Sequence, residues 1–203
     1  MERILECCCT SAQEVNFAQK HGASRIELCE KLELGGVTPS AGLLDMALSL
    51  ADIPVNVLIR PRGGDFVYSE DEVRQMLRDI EICAAKGAAG VVVGALDSNG
   101  EVDMPTMHRL IGKARELGLS VTFHRAFDVC ADPLAAFDRV VELGCDRLLT
   151  SGHEENAVKG RKLIEELAAR KQLIVMAGCG VRPSNVESIT ADEYHASFSW
   201  FRE

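Results

Sequence analysis

The feature that most constrains this chain is a phrase that it repeats: a helical stretch closes on a glycine, and a short apolar or β-branched run begins one to three residues later. Glycine in that place is a left-handed helix stop. The phrase occurs as His21-Gly22-Ala23-Ser24 before Arg25-Ile26-Glu27-Leu28, and as Lys86-Gly87-Ala88-Ala89 before Gly90-Val91-Val92-Val93. It returns as Leu117-Gly118 before Leu119-Ser120-Val121-Thr122, and as Leu143-Gly144-Cys145-Asp146 before Arg147-Leu148-Leu149. From Gly87 onward the stops are 31 and 26 residues apart, the length of one βα unit. Strands read outward from these anchors fall near 3–8, 25–29, 54–60, 91–96, 120–126, 147–151, 173–178 and 193–197. Helix patterns lie between them, such as 71–85 with Val73, Met76, Leu77, Ile80 and Ala84 at helical spacing, and 105–117 with Met107, Leu110, Ile111 and Ala114. Eight alternating units predict an α/β fold of the closed (β/α)8 TIM-barrel type rather than an open doubly wound sheet.

A chain of 203 residues, 47% of them hydrophobic, suffices for one such domain over residues 1–203. Six residues, Phe198 to Glu203, follow the eighth strand, so the last helix is expected to be missing. Phe198, Trp200 and Phe201 would then be disordered or lie against another subunit. The net charge of −9, with no basic run longer than two residues, argues against nucleic acid and anionic membranes as partners. No apolar stretch reaches the roughly 18 residues of a membrane span. The charged start Met1-Glu2-Arg3-Ile4-Leu5-Glu6 does not read as a signal peptide. A cytoplasmic location is therefore expected, with the eight cysteines as free thiols. No Cys-x-x-Cys or His-x3-His pair is present, so any metal site has to be assembled by the fold.

Strands of a parallel barrel are covered on both faces, which makes a polar residue in mid-strand costly and therefore informative. The side-chain period of two puts Glu6 on one face with Cys8, Glu27 with Cys29, Asn56 with Leu58 and Arg60, and Thr122 with His124. Arg62 continues the parity of Arg60 into the next loop, Asp128 lies beyond the fifth strand, and His195 is carried by the eighth. Barrels of this kind place their sites at the carboxyl ends of the strands. Glu6, Glu27, Arg60 and His124 are accordingly candidate catalytic residues, although the same four could form a purely structural ion-pair network. Arg60 and Arg62 have the guanidinium fork that suits phosphate or carboxylate. Thr150, Gly152, Gly178 and Gly180 sit in tight loops after strands six and seven, where backbone N–H groups can meet an anion, and join His195 as candidate ligand-binding residues. Cys83 and Cys145 read as packing residues and Cys7 as facing the helices. Cys9 is read as the start of a loop, while Cys130 and Cys179 lie in loops near the strand ends.

Several strings resemble the CutC copper-homeostasis family, which is distinct from the choline-cleaving glycyl-radical enzyme of similar name. They are Arg25-Ile26-Glu27-Leu28-Cys29, Gly35-Gly36-Val37-Thr38-Pro39-Ser40, Ile59-Arg60-Pro61-Arg62-Gly63-Gly64-Asp65-Phe66, Thr122-Phe123-His124-Arg125-Ala126-Phe127-Asp128, Leu149-Thr150-Ser151-Gly152 and Met176-Ala177-Gly178. The resemblance implies a TIM barrel in the cytosol, homo-oligomers in some members, and Cu(I) bound through cysteines that match Cys8 and Cys29. Members usually continue past the segment that matches 193–197, and commonly have a small residue where this chain has Cys179.

Two functions follow as expectations. One is a copper-homeostasis protein that holds copper(I) between Cys8 and Cys29. The other is an enzyme acting on a small anionic ligand, with Arg60 and Arg62 on the anion, Glu27 or Glu6 as general base and His124 as proton donor or orienter.

Overall fold

The computed structural model describes residues 3–202. Eight parallel strands close into a barrel in chain order, with the last strand paired to the first. They are β1 (Leu5–Cys9), β2 (Arg25–Leu28), β3 (Val55–Leu58), β4 (Gly90–Val93), β5 (Ser120–Phe123), β6 (Arg147–Thr150), β7 (Ile174–Ala177) and β8 (Glu193–Ser197). Around them pack α1 (Ala12–Lys20), α2 (Ala41–Leu50), α3 (Glu70–Ala85), α4 (Met104–Glu116), α5 (Pro133–Glu142) and α6 (Arg161–Ala169). The expected glycine stops are real. Gly22, Gly87, Gly118 and Gly144 have φ of 96°, 90°, 75° and 71°, in the left-handed region that an L side chain avoids.

Five of the six helix starts are capped by a side chain, α6 being the exception. Ser69 and Glu72 form a reciprocal capping box on α3, and Asp103 and Asp132 cap α4 and α5, both of which open with a proline in their first turn. The helices bury their apolar stripes against Cys7, Cys9, Ile26, Leu28, Val57, Val91, Val93, Val121, Phe123, Leu148 and Val175, which point out of the barrel into the helix layer. Full burial of a side chain such as Phe123 contributes roughly 1.5–3 kcal/mol. Cys83 and Cys145 belong to this same outer core. Cys9 is the last residue of β1, fully buried with its thiol 3.5 Å from Cys7, and does not start a loop.

Two details depart from strict alternation. Between β7 and β8 there is a single 3-10 turn, Val186–Ser188, in place of an α-helix, closed by the hydrogen bond of Tyr194 Oη to Ile189 O (2.7 Å). After β8 no α-helix follows among the described residues, and the aromatic segment, expected to be disordered or to lie against another subunit, packs on this chain's own α1. Phe198–Arg202 form a 3-10 turn that folds back on α1, with the Phe198 ring edge-on to Phe17 at 5.4 Å and Phe201 buried. The segment covers the seam beside β1 and β8 itself, because its apolar side chains gain most by closing the gap that a helix would fill. No helix among the described residues is long and apolar enough to cross a membrane.

Candidate functional site

The barrel interior is divided along its axis. Towards the amino ends of the strands is a closed charge network: Arg25 bridges Glu6 and Glu193, Arg147 Nε donates to Glu193 at 3.0 Å, and Asn56 Nδ2 donates to Glu6 at 3.2 Å. Glu6 is fully buried and does not line the cavity above. Arg25, Arg147 and Glu193 were not among the residues singled out from the sequence. The signal was present, since the period of two that joins Glu27 to Cys29 also joins Arg25 to Glu27 and Glu193 to His195.

Above this floor, Cys8, Cys29, Leu58 and Val92 form a small cluster inside the barrel. The Cys8 and Cys29 sulfurs lie 3.6 Å apart. Cys8 stands opposite Glu27 in the β1–β2 register, and β8 closes on β1 so that His195 Nε2 reaches Glu27 Oε2 at 2.7 Å. Cys8, Glu27 and His195 thus bring a sulfur, an oxygen and a nitrogen donor within 4.8 Å of one another. Burial disfavours the Glu27 carboxylate, but the His195 imidazolium beside it outweighs burial and holds its pKa below the usual value. Burial likewise disfavours the His195 cation, and Glu27 raises its pKa regardless. The Cys8 thiol is pushed well up by its hydrogen bond with Cys29, by burial and by the nearby Glu27 charge.

The carboxyl ends of the strands open into a cavity of about 760 Å3. Arg60 and His124 sit one or two residues beyond β3 and β5 rather than within them. Arg60 does not pair with a carboxylate, contrary to the ion-pair cluster expected for it. Its Nη1 donates to the main-chain oxygens of Leu34 (3.1 Å) and Gly36 (3.0 Å), its Nη2 to that of Gly64 (2.7 Å), and its guanidinium lies 4.6 Å over the Phe66 ring. The chain after β2 is wrapped around it so closely that a Cβ on Gly35 would come within 3.0 Å of Nη1. His124 Nδ1 accepts from Ala126 N at 3.1 Å, which begins the 3-10 turn Arg125–Val129. Burial, then the Arg60 charge, lowers the His124 pKa to about 4, so the ring is neutral.

The other expected site residues divide by position. Gly180 and His195 line the cavity, as do Glu27, Arg60, His124, Cys8 and Cys29. Arg62 does not line it: Nε donates to Glu72 at 2.6 Å, Nη2 to Asp65 and Val67, and the guanidinium stacks over Tyr68. Thr150 is fully buried behind the wall, donating to Asp128 and accepting from Gly152 N at 2.8 Å. Gly152 has φ 73°, and a Cβ there would stand 2.2 Å from the Gly160 oxygen, so close backbone contact accounts for it. At Gly178 a Cβ would meet a side chain rather than backbone, standing 2.5 Å from the Leu149 methyl Cδ1. Cys179 faces the cavity, whereas Cys130 lies behind it with its sulfur 3.3 Å from His153 Nε2. Asp128, Arg125, Phe66, His153, Glu154 and Glu155 also line the cavity, and Asp128 is held by Arg125 at 2.7 Å.

Residues 3–199 match the model of the CutC family. A CutC family protein of Parabacteroides distasonis is 50% identical over 204 residues, which cover 97% of this chain and 83% of the relative. The chain belongs to the CutC family. A CutC family protein of Enterobacter sp. strain 638 is also 50% identical, over 96% of this chain and 79% of its own length. The crystal structure of a CutC from Streptococcus agalactiae, described as a candidate copper homeostasis protein, superimposes with a TM-score of 0.88 at 32% identity. It covers 97% of this chain and 99% of that one, and the closed eight-stranded barrel is common to both.

Proposed function

We propose that this CutC-family chain acts in copper homeostasis and that its cargo is copper(I), taken up between Cys8 and Cys29. The observation that carries the reading is the pair of thiols 3.6 Å apart on the wall of an open cavity, inside a barrel that otherwise buries charged and apolar residues. Soft thiolate donors select Cu(I) over harder cations. At the ~2.3 Å metal–thiolate length of a d10 ion, a linear S–metal–S unit needs ~4.6 Å between sulfurs, and a tetrahedral one ~3.8 Å. The present spacing therefore suits a bent arrangement with a further donor, and His195, held against Glu27, is the neighbouring nitrogen. The Cys8 thiol, its pKa pushed well up, is protonated before binding, so uptake releases a proton there and the affinity should rise with pH.

The test is an anaerobic Cu(I) competition titration against a chromophoric chelator. Wild type should take one tight equivalent that Cys8→Ser and Cys29→Ser each lose and Cys83→Ser keeps. A similar fractional decline with every cysteine removed would mean adventitious thiol chemistry and would end the copper reading.

A further inference from the structure

Three arginines enter the inside of this barrel, and they are treated differently. Arg25 and Arg147 are neutralised by Glu6 and Glu193. Arg60, only 6% exposed, has no carboxylate within ion-pair distance among the described residues. Burying a full positive charge with dipoles alone is costly, and the usual remedy is a counter-ion. The other carboxylates that line the cavity do not supply one: Glu27 is engaged by His195, Asp128 by Arg125 and Glu155 by Lys159, and Glu154 makes no ion pair with Arg60.

Arg60 is also held as a receptor group is held. Three main-chain carbonyls and the Phe66 ring fix the guanidinium plane. Of the five N–H donors that an arginine has, these bonds use three, and Nε is without a partner. What remains is unmet donor capacity on Nε and Nη2, adjacent nitrogens of a fork that matches a carboxylate or phosphate; Nε is closed off from solvent in the unliganded chain, so an anion meets it only once the neighbouring side chains, Tyr68 among them, shift. The space beside it, about 760 Å3 with Leu32, Leu58, Phe66 and Leu149 in its wall, is of the size that holds a metabolite. A two-thiol copper site has no use for such a cation.

We propose that the mouth of this barrel binds a small organic anion, with its carboxylate or phosphate on Arg60 and its body in the cavity over Cys8 and Cys29. This site is separate from the copper reading and does not need copper. Such a ligand supplies the missing counter-charge, and the Glu27–His195 pair lines the same cavity.

The experiment is calorimetric titration of copper-free protein with 2-phosphoglycolate, malonate and inorganic phosphate, and with glycolamide as the neutral control. We expect one-to-one, saturable binding of at least one of the three anions and none of glycolamide. Arg60→Gln should abolish it, and Arg60→Lys, which keeps the charge without the fork, should weaken it about tenfold. Arg62→Gln, outside the cavity, should leave it unchanged. Should the Arg60 variants fail to fold, wild type alone still decides, because a bound anion must slow alkylation of Cys8 and Cys29 as read by peptide mass spectrometry. No binding of any of the three anions, equal binding by a folded Arg60→Gln, or alkylation that the anions do not slow would overturn the inference. Copper uptake measured on the same preparations separates the two readings: protein that takes copper and ignores the anions sinks only this one.

Discussion

Arg25 is the residue on which the barrel floor depends, because among the described residues it alone pairs with both buried carboxylates, Glu6 and Glu193. Removing one member of a buried ion network leaves the others uncompensated, at a typical cost of about 3–5 kcal/mol. Arg25→Met keeps much of the side-chain volume, so its effect should report the lost charge. We expect a loss of about that size in urea denaturation at neutral pH, moderated by Arg147, which still reaches Glu193 at 3.0 Å. A loss under about 1 kcal/mol would mean that water or slack screens the floor. Arg60 should behave otherwise, since its removal strands three carbonyls and no carboxylate.

At the level of elements, the informative segment is the last one. Phe201 is 7% exposed and Phe198 packs on Phe17, so the 3-10 turn joins α1 to the edge where β8 meets β1. Truncating a buried phenylalanine removes its transfer free energy and leaves a cavity, together about 3 kcal/mol. Phe201→Ala should lower stability by about that amount and expose the segment after Ser197 to limited proteolysis, while wild type resists cleavage there. Early cleavage of wild type at Phe198 would contradict the packing. The sequence marked this segment as apolar and in need of cover, but which surface covers it depends on where α1 lies. Likewise the eight strands were readable from helix stops and β-branched runs. The short turn between β7 and β8 was not, because Val186 and Ile189 carry too little periodicity to tell a 3-10 turn from a helix.

For the molecule as a whole, two histidines set opposite limbs of the stability–pH curve. His124 has a folded pKa of about 4, below the ordinary value near 6.5, so the unfolded chain binds the extra proton between them. Its contribution is full above pH ~6.5 and is lost as pH falls towards ~4, up to about 3 kcal/mol. His195 is raised by Glu27, so its contribution is full below pH ~6.5 and is lost as pH climbs through its folded pKa. The lowered Glu27 adds a contribution present above pH ~4.3 and lost as pH falls through its folded pKa. Thermal unfolding against pH should therefore show His124→Gln flattening the limb between pH ~6.5 and ~4, and His195→Gln flattening the alkaline limb. If either substitution leaves its limb unchanged, the corresponding ring is not in the state described.

Much of this architecture was written locally. Glycine stops, alternating units and the parity of Cys8, Glu27 and Cys29 each concern a few neighbouring residues, and backbone stereochemistry acts at that range. Parity tells which side chains share a face of one strand and says nothing about which strands meet. Closure decided that. Pairing β8 with β1 carried His195 to Glu27 and Glu193 to Arg25, each across 168 positions of sequence. The same closure left Arg60 facing a cavity with main-chain oxygens where a carboxylate was expected. Charge pairing inside a barrel is settled by three-dimensional proximity in a low-dielectric space, and that proximity exists only once the barrel is closed.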